Sequence, residues 1–508
     1  MFSITGNNLT VQNSIKLIEN NALLKIDKST INKIQKSRSL VEKWIKDDKA
    51  IYGITTGFGE FKDVKISYQD LETLQKNLII SHSAGVGKYL PDNIVRLMIL
   101  FRINSLCKGN SGVRVELVEA LINLFNYKII PLVPSQGSVG SSGDLAPLSH
   151  LALTLIGKGY CKLDGEILES KSALEKCGLR PFVLSAKEGL ALINGTQMMS
   201  AYMCLAVWEA ERLAKLNDIA GATSLEALKG TDSAFDEKIQ RIRPHKGQIN
   251  TAYNLRTLLK NSGIMKSHRD CGKVQDAYSL RCMPQVHGAV KDTIRYCREV
   301  LEIEINSVTD NPLIFPEDGE YLTGGNFHGE PIALIADYLA IAISELANIS
   351  ERRIARLVDG SLSGLPRFLT TEGGLNSGLM IAQYTAASLV SENKVLTHPA
   401  SVDSIPTSAN QEDHNSMGSI AAKKCMDVIN NVKNVIAIEF LCACQGIDLL
   451  KPLKSSKPVE AARKLIRSKT PYITKDVLLY EYISSVKQVV YDNNFLNAIE
   501  KITGELKI

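Results

Sequence analysis

The spacing of apolar residues along the chain changes at about residue 194. Before that point short helical stretches alternate with Gly-rich loops and strand-like runs, and residues 9–17 fit a strand that leads into a helix. Residues 92–107 are apolar on nearly every face, which predicts a buried helix that Asp92 caps and Gly109 ends. Beyond residue 194 apolar positions recur at steps of three and four, as on long helices. Such helices are predicted over residues 195–216, 284–305, 332–358 and 412–444.

These patterns predict a mainly α protein with two domains. The first, residues 1–194, mixes helices, loops and strands, and the second, residues 195–508, is a bundle of long helices followed by further helical segments. Long helices with more than one apolar face often continue their packing across subunits, so the pattern also favours an oligomer.

Composition and charge fit an ordinary soluble protein. Of the 508 residues 44% are hydrophobic and 22% charged, and the net charge of +5 is small for this length. No dense Lys/Arg run indicates a nucleic-acid or membrane surface, and we expect neither partner. The N-terminal residues lack signal-peptide features and no apolar run approaches the roughly 18 residues of a membrane span, so we expect a cytoplasmic protein.

Cysteine and histidine spacing does not indicate a metal site. The ten cysteines are scattered without a C-x-x-C motif, and the eight histidines show no H-E-x-x-H or similar spacing. Scattered thiols are usually small buried side chains in a reducing compartment. We therefore expect no metal, and the sequence offers no clear lysine setting for pyridoxal phosphate (PLP).

The most distinctive chemistry lies in GSVGSSGDLAPLSHLALTL, residues 137–155. Asp144 is in position to cap a helix, Pro147 is tolerated in a first turn, and leucines follow on one helical face. Ser141-Ser142-Gly143 therefore lies at a helix N-terminus, the positive end of the helix dipole.

A Gly/Ser turn before a capped helix is the simplest interpretation of this tripeptide. A nucleophile elbow needs G-x-S-x-G, but the run from Gly140 ends in Asp144, and a phosphate loop needs a lysine that does not follow. Backbone cyclisation is the remaining possibility. It needs an unhindered Gly143 nitrogen to attack the Ser141 carbonyl, and a central Ser142 that loses its hydroxyl as two waters leave.

This segment resembles the cofactor-forming signature of the aromatic amino acid lyase family, which usually has Ala-Ser-Gly where this chain has Ser141. The resemblance runs from Tyr52 to about Gly418. It implies a 4-methylidene-imidazol-5-one formed from Ser141-Ser142-Gly143, an electron sink that ordinary nucleophilic side chains cannot supply. It also implies a fumarase/aspartase-like fold and a homotetramer whose active sites are shared between subunits.

The resemblance implies catalytic roles for three distant residues. Tyr52, in YGITTGFG, takes the position of the base that removes the β-proton. A phenol with a pKa of ~10 needs a downward shift for this role, which a helix end or an arginine could supply. Tyr278 is implied to assist near the leaving ammonia, and Glu412 to lie near the ammonia and the substrate ring.

Two further residues are implied to contact the cofactor. Asn194 is implied to contact the imidazolone oxygen, although with Gln197 it also fits a capping box for the next helix. Phe327 is implied to form a wall beside the cofactor, and it could equally be a core aromatic. Ser408 and Gln411 are likewise in capping-box register at the start of the longest predicted helix.

Two motifs bear on the substrate. Ser81-His82 resembles the Ser-His pair of histidine-type members, and an imidazole that donates and accepts hydrogen bonds suits another imidazole. The stretch NQEDH, residues 410–414, resembles histidine-type members too. Arg281 is implied to bind the substrate carboxylate in a bidentate fork, with Gln275 as a further substrate contact.

Together these residues favour an ammonia-lyase that converts L-histidine to trans-urocanate and ammonia, the first step of histidine degradation. Three alternatives stay open at this point. They are a phenylalanine or tyrosine lyase, an aminomutase of the same family, and a scaffold that has lost the cofactor.

Overall fold

Helices hold 59% of the residues, which confirms the predicted mainly α fold class. The computed structural model describes residues 1–269 and 271–508, and of residue 60 only the backbone. Contacts group the described chain into two units, each assembled from three segments. The first unit contains Met1–Trp208, Cys297–Asp337 and Pro399–Lys423, and the second contains Glu209–Tyr296, Tyr338–His398 and Lys424–Ile508. The division into domains after residue 194 stays a prediction.

The four long helices predicted from apolar periodicity are present, with shifted ends. They span Gln197–Ala227, Met283–Glu304, Glu330–Val358 and Gly418–Leu449. The last begins at Gly418 rather than at Glu412, because Met417 has a φ of 53° that a right-handed helix does not admit. The capping box predicted for Ser408 and Gln411 was also wrong, because residues 408–410 form a separate turn with φ between 51° and 66°.

The first unit combines short helices with small, separate sheets. The strand Phe2–Ile4 pairs in parallel with Leu24–Ile26. The other pairs are antiparallel: Val86–Tyr89 with Pro134–Gln136, and Leu313–Phe315 with Glu320–Leu322. In the one three-stranded sheet of the described residues, Tyr160–Leu163 lies between Ile130–Pro131 and Glu166–Glu169. Its shorter helices are Val11–Glu19, Lys28–Lys46, Leu71–His82, Asp92–Leu106, Val115–Asn126, Leu145–Leu155, Ser170–Lys176 and Glu188–Ile193. The strand expected within residues 9–17 was wrong, because Thr10 forms a capping box with Asn13 and starts a helix there.

The predicted buried helix forms the centre of this unit. It spans Asp92–Leu106, and residues 94–106 are all buried, including two arginines. Pro91 rather than Asp92 occupies its N-cap position, because Asp92 already belongs to the first helical turn. A charged side chain that is buried in a mainly apolar helix needs polar partners.

Among the described residues of the second unit every regular element is a helix, and the unit holds a buried ion network. Asp218 accepts hydrogen bonds from His287 Nδ1 at 2.8 Å and from Lys291 Nζ at 2.6 Å, and Arg353 Nη2 donates to Glu439 at 2.8 Å. Its shorter helices are Glu237–Arg241, Lys246–Leu258, Gly263–Lys266, Tyr278–Arg281, Gly360–Ser363, Met380–Leu396, Lys457–Arg467, Leu479–Val490 and Asn493–Thr503.

One helix of the described residues, Glu330–Val358, is long and apolar enough to cross a membrane, so the expectation that the chain has no such run was wrong. Of its most apolar stretch, 72% is buried inside the protein, as is usual for a core helix.

Candidate active site

Three helices of the first unit bring their ends to one cavity of about 1200 Å³. Leu71–His82, Leu145–Leu155 and Glu188–Ile193 pack against one another. The first ends at His82, the second begins directly after the tripeptide and its neighbour Asp144, and the third ends just before Asn194. Helix packing therefore gathers residues that are far apart in the sequence.

Most of the residues singled out from the sequence line this cavity. Those that do so are Tyr52, His82, Ser141, Ser142, Asn194, Phe327 and Glu412. Ser81 is exposed, and its Oγ lies 3.1 Å from Nδ1 of His82, within hydrogen-bond distance. The side chains of Gln411, His328 and His414 complete part of the wall.

Gly143 occupies a position that no other residue fits. Its φ is +75°, and its backbone pairs with Gly195 in a parallel bridge. A Cβ on Gly143 would lie 2.1 Å from the Gly195 carbonyl oxygen, far inside van der Waals contact. The backbone thus turns tightly at Gly143, and only glycine can occupy this position.

The carbonyl oxygen of Ser142 receives two hydrogen bonds from one side. Asn194 Nδ2 donates to it at 3.2 Å and the Gly195 amide at 3.3 Å. The capping role considered for Asn194 was wrong, because Asn194 closes the helix Glu188–Ile193 while the next helix starts only at Gln197. Its side chain is therefore free to turn toward the tripeptide.

Asp144 stands at the predicted N-cap position, yet its side chain makes no cap bond to that helix. Instead its Oδ2 accepts from the amides of Met198 at 2.9 Å and Met199 at 3.0 Å, in the first turn of Gln197–Ala227, and its Oδ1 accepts from Ser419 at 2.8 Å. Burial raises the pKa of Asp144 to about 6. The carboxyl group thus ties the end of the tripeptide to the start of a long helix.

Glu412 is held beside the hydroxyl of Ser142. Ser142 Oγ donates to Glu412 Oε1 at 3.2 Å, and Thr407 Oγ1 donates to Glu412 Oε2 at 2.7 Å. Backbone hydrogen bonds join Thr407 and Glu412 in both directions. Sequence reasoning missed Thr407, because its role depends on the left-handed turn between the two residues, which no motif indicates.

Tyr52 is half-buried, and its hydroxyl oxygen lies 3.5 Å from the Gly59 amide that donates to it. Burial, reinforced by the negative charges of Glu412 and Asp310, raises the pKa of Tyr52 above its usual value. The downward shift expected from the sequence was therefore wrong for the isolated chain.

Burial has the opposite effect on His82 because the charged form of an imidazole is the cation. The pKa of His82 is lowered, although the Glu412 carboxylate opposes the shift. His82 is consequently a neutral imidazole at pH 7, with one ring nitrogen able to accept a hydrogen bond.

Comparison with known proteins agrees with this geometry. The family described as aromatic amino acid lyase matches residues 9–468. The chain belongs to this family. It is 53% identical over 487 residues to a histidine ammonia-lyase of Caldanaerobacter subterraneus, and the match covers 96% of each chain.

Two solved structures of the family are also similar. The histidine ammonia-lyase from Trypanosoma cruzi has a TM-score of 0.93 and 45% identity, with 99% of this chain and 96% of that chain covered. The tyrosine aminomutase from Streptomyces globisporus has a TM-score of 0.94 and 39% identity, with 99% of both chains covered. The fold of this family member is therefore shared by lyases and aminomutases, and it does not by itself select a reaction.

Three residues that the resemblance implies for the site belong to the second unit, namely Gln275, Tyr278 and Arg281. None of them is among the described residues that line the cavity. Tyr278 is 71% exposed, with the Arg281 guanidinium 4.6 Å from its ring centroid. Arg281 Nε has no hydrogen-bond partner among the described residues. Gln275 is exposed and lines a separate cavity of about 250 Å³.

A possible metal-binding group borders the cavity. Ligand atoms of His328, Glu330 and His414 lie within 4.8 Å of one another. Both ring nitrogens of His328 are already engaged, Nδ1 by the Glu330 amide at 3.3 Å and Nε2 by the His414 carbonyl at 3.2 Å. A divalent cation would bind here only after His328 gave up one of these hydrogen bonds.

Proposed function

We propose that this family member is an ammonia-lyase of the cytoplasm that converts L-histidine to trans-urocanate and ammonia. The observation that carries the proposal is the single cavity in which neutral His82 faces the same space as Tyr52, Glu412 and the tripeptide. The similarity to histidine ammonia-lyases over nearly the whole chain supports the choice of substrate. The NQEDH stretch, residues 410–414, supports it as well, since part of it lines the cavity.

We propose further that Ser141-Ser142-Gly143 cyclises to 4-methylidene-imidazol-5-one, and that neither a metal nor PLP takes part. The positive φ of Gly143 and the absence of room for a Cβ there fit ring closure. The ring oxygen would be that of Ser142, held by Asn194 and the Gly195 amide, with Phe327 in the adjacent wall. Once formed, this group supplies the electron sink for loss of ammonia.

The side chains of the cavity have distinct tasks in this proposal. Tyr52 removes the β-proton of the substrate. The substrate brings a positively charged ammonium group into the cavity. The charge of this ammonium group favours the phenolate of Tyr52 and so offsets the pKa increase that burial causes. Neutral His82 accepts a hydrogen bond from the substrate imidazole, and Ser81 holds the ring of His82 in place. Glu412 accepts hydrogen bonds from the amino group and the departing ammonia.

We propose that Gln275, Tyr278 and Arg281 reach the cavity from a neighbouring subunit of a homotetramer. Arg281 would bind the substrate carboxylate and Tyr278 would assist at the departing ammonia. The exposure of Tyr278, whose ring centroid lies 4.6 Å from the Arg281 guanidinium, supports this arrangement. Exposed apolar side chains at helical spacing on Glu330–Val358 support a subunit interface: Leu334, Tyr338 and Ile341 are 53%, 48% and 43% exposed.

Complementation tests the shared site. Ser142→Ala and Arg281→Ala proteins should each be inactive. A mixture that is dissociated and reassembled should regain activity, because some active sites then combine the intact tripeptide of the Arg281→Ala protein with the intact Arg281 of the Ser142→Ala protein. A reassembled mixture without activity, when wild-type protein survives the same treatment, would contradict the shared site.

Absorbance of the conjugated product tests the reaction itself. Adding L-histidine should produce the ultraviolet absorbance of urocanate, while phenylalanine and tyrosine should produce cinnamate or coumarate only at a small fraction of that rate. Ser142→Ala should remain folded and give no product. Appearance of a β-amino acid instead would indicate an aminomutase, and a chain of full mass without turnover would indicate a scaffold without the cofactor.

A further inference from the structure

Arg102 lies inside the apolar helix Asp92–Leu106, and its side chain is fully buried. Nη1 donates to the carbonyl oxygens of Ala191 at 2.6 Å and Asn194 at 2.7 Å, and Nη2 donates to Thr309 Oγ1 at 3.4 Å. Burial lowers the pKa of Arg102 to about 10, which leaves it charged at neutral pH. A desolvated cation is tolerated only when such partners compensate for the lost water.

Those two carbonyls lie at the C-terminal end of Glu188–Ile193, where the last acceptors of a helix have no partner within the helix. Arg102 satisfies both with one nitrogen and so fixes the path of the chain from Ala191 to Asn194. The peptide bond that contains the Asn194 carbonyl also contains the Gly195 amide, which donates to Ser142 together with the Asn194 side chain. Arg102 therefore stands directly behind the two donors that hold the tripeptide.

Gly195 is enclosed between Arg102 and the tripeptide. A Cβ on Gly195 would lie 2.5 Å from Arg102 Nη2, so the backbone rests directly on the guanidinium. On its other side Gly195 pairs with Gly143, and its carbonyl accepts the Asp144 amide at 2.7 Å. Thr309 completes the support, because its hydroxyl also accepts from Gln197 Nε2 at 2.9 Å.

We propose that Arg102 is a positioning residue for ring closure of the tripeptide, acting through Asn194 and Gly195. The inference rests on the proposed cofactor. In that step the Gly143 nitrogen bonds to the Ser141 carbonyl carbon, and the Ser141 oxygen leaves as water with the hydrogens of the Gly143 and Ser142 amides. A second water takes the Ser142 hydroxyl and the hydrogen on its Cα. No oxidant is required, and Arg102 touches none of the reacting atoms.

Arg102→Lys tests the proposal because lysine keeps the charge but cannot reach both carbonyls and Thr309 with a rigid fork. Arg96→Lys is the matched control. Arg96 is buried in the same helix and donates to the Ile18 carbonyl at 2.7 Å and to Asn21 at 3.0 Å, outside the contacts of the tripeptide. The readout is the mass of the intact chain, which falls by two waters on ring closure, followed over time after synthesis alongside the melting temperature.

We expect Arg102→Lys to close its ring about tenfold more slowly than the wild type, which corresponds to 1.36 kcal/mol in the barrier. Arg96→Lys should close at the wild-type rate despite a lowered melting temperature. Thr309→Val, which removes one contact of Arg102, should show a smaller delay and serves if Arg102→Lys does not fold.

Ring closure at the wild-type rate in both Arg102→Lys and Thr309→Val would overturn the inference, and so would an equal delay in Arg96→Lys. Wild-type protein of full mass would instead refute the proposed cofactor, which separates the two failures.

Discussion

Replacing His82 by leucine tests whether this side chain selects the substrate. Leucine has a similar volume and keeps the apolar packing at the end of Leu71–His82, but it can neither accept nor donate a hydrogen bond. The variant thus removes one polar contact while the tripeptide, Tyr52 and Glu412 stay in place.

The size of the effect follows from the state of His82 in the structure. Its lowered pKa makes it a neutral acceptor at pH 7, and its loss leaves an N–H of the substrate imidazole unpaired inside the cavity. An unsatisfied buried polar group costs about 1–3 kcal/mol. Because 1.36 kcal/mol corresponds to tenfold, kcat/KM for histidine should fall by about 5- to 150-fold. Phenylalanine and tyrosine lack that N–H and should lose nothing.

The assay compares kcat/KM for histidine, tyrosine and phenylalanine in the wild type, His82→Leu and Ser81→Ala. Ser81→Ala removes only the hydroxyl 3.1 Å from His82 Nδ1, so its loss for histidine should be near the roughly 1 kcal/mol of one hydrogen bond, about fivefold. Equal losses for all three substrates in His82→Leu would refute the reasoning, since they would indicate general damage to the site.

Three further results are expected. Gly143→Ala should keep its full chain mass, because its Cβ would collide with Gly195; a mass short of two waters would contradict this. Glu412→Gln should shift the rise of kcat/KM with pH to lower pH, because the Glu412 charge helps to raise the pKa of Tyr52. A rise of kcat/KM at the same pH as in the wild type would exclude Tyr52 as the titrating base. The pKa of His287 is lowered in the folded protein, so on acidification the unfolded chain takes up this proton at a higher pH than the folded protein does. The free energy of unfolding therefore falls as the pH drops below about 6.5. His287→Gln should show less of this loss in urea titrations, and an unchanged slope would assign it to other groups.

The long helices could be predicted from the sequence because periodicity directly reports which faces are buried. Their ends could not, because these depend on single backbone angles. Met417, with its φ of 53°, stops helical structure from extending back to Glu412. The turn over residues 408–410 is left-handed although it contains no glycine, and of its three residues only Asn410 is of a type that favours that conformation.

Motifs identified seven residues that line one cavity, whereas the side-chain caps inferred from neighbouring residues were wrong. Asp144 and Asn194 both have the residue type and position of a local cap, but their side chains serve Gln197–Ala227 and Ser142 respectively. Capping rules consider only neighbours along the chain, whereas these partners are brought together by packing of separate helices. Arg102 could have been noticed from the sequence, since an arginine within a mainly apolar, buried helix requires buried acceptors.

In the proposed function, chemistry and substrate choice occupy different parts of this site. Similar TM-scores to a histidine ammonia-lyase and a tyrosine aminomutase, 0.93 and 0.94, mean that the backbone cannot decide between their substrates. The cradle of Gly143, Asn194 and Gly195 is fixed by contacts between backbone atoms and a buried arginine, so a substitution there should affect every substrate alike. His82 instead lines the cavity at a helix end, and its replacement leaves the backbone contacts of the cradle in place. A change of substrate within this fold is therefore easiest at such side chains, and a change at the cradle should abolish the reaction rather than redirect it.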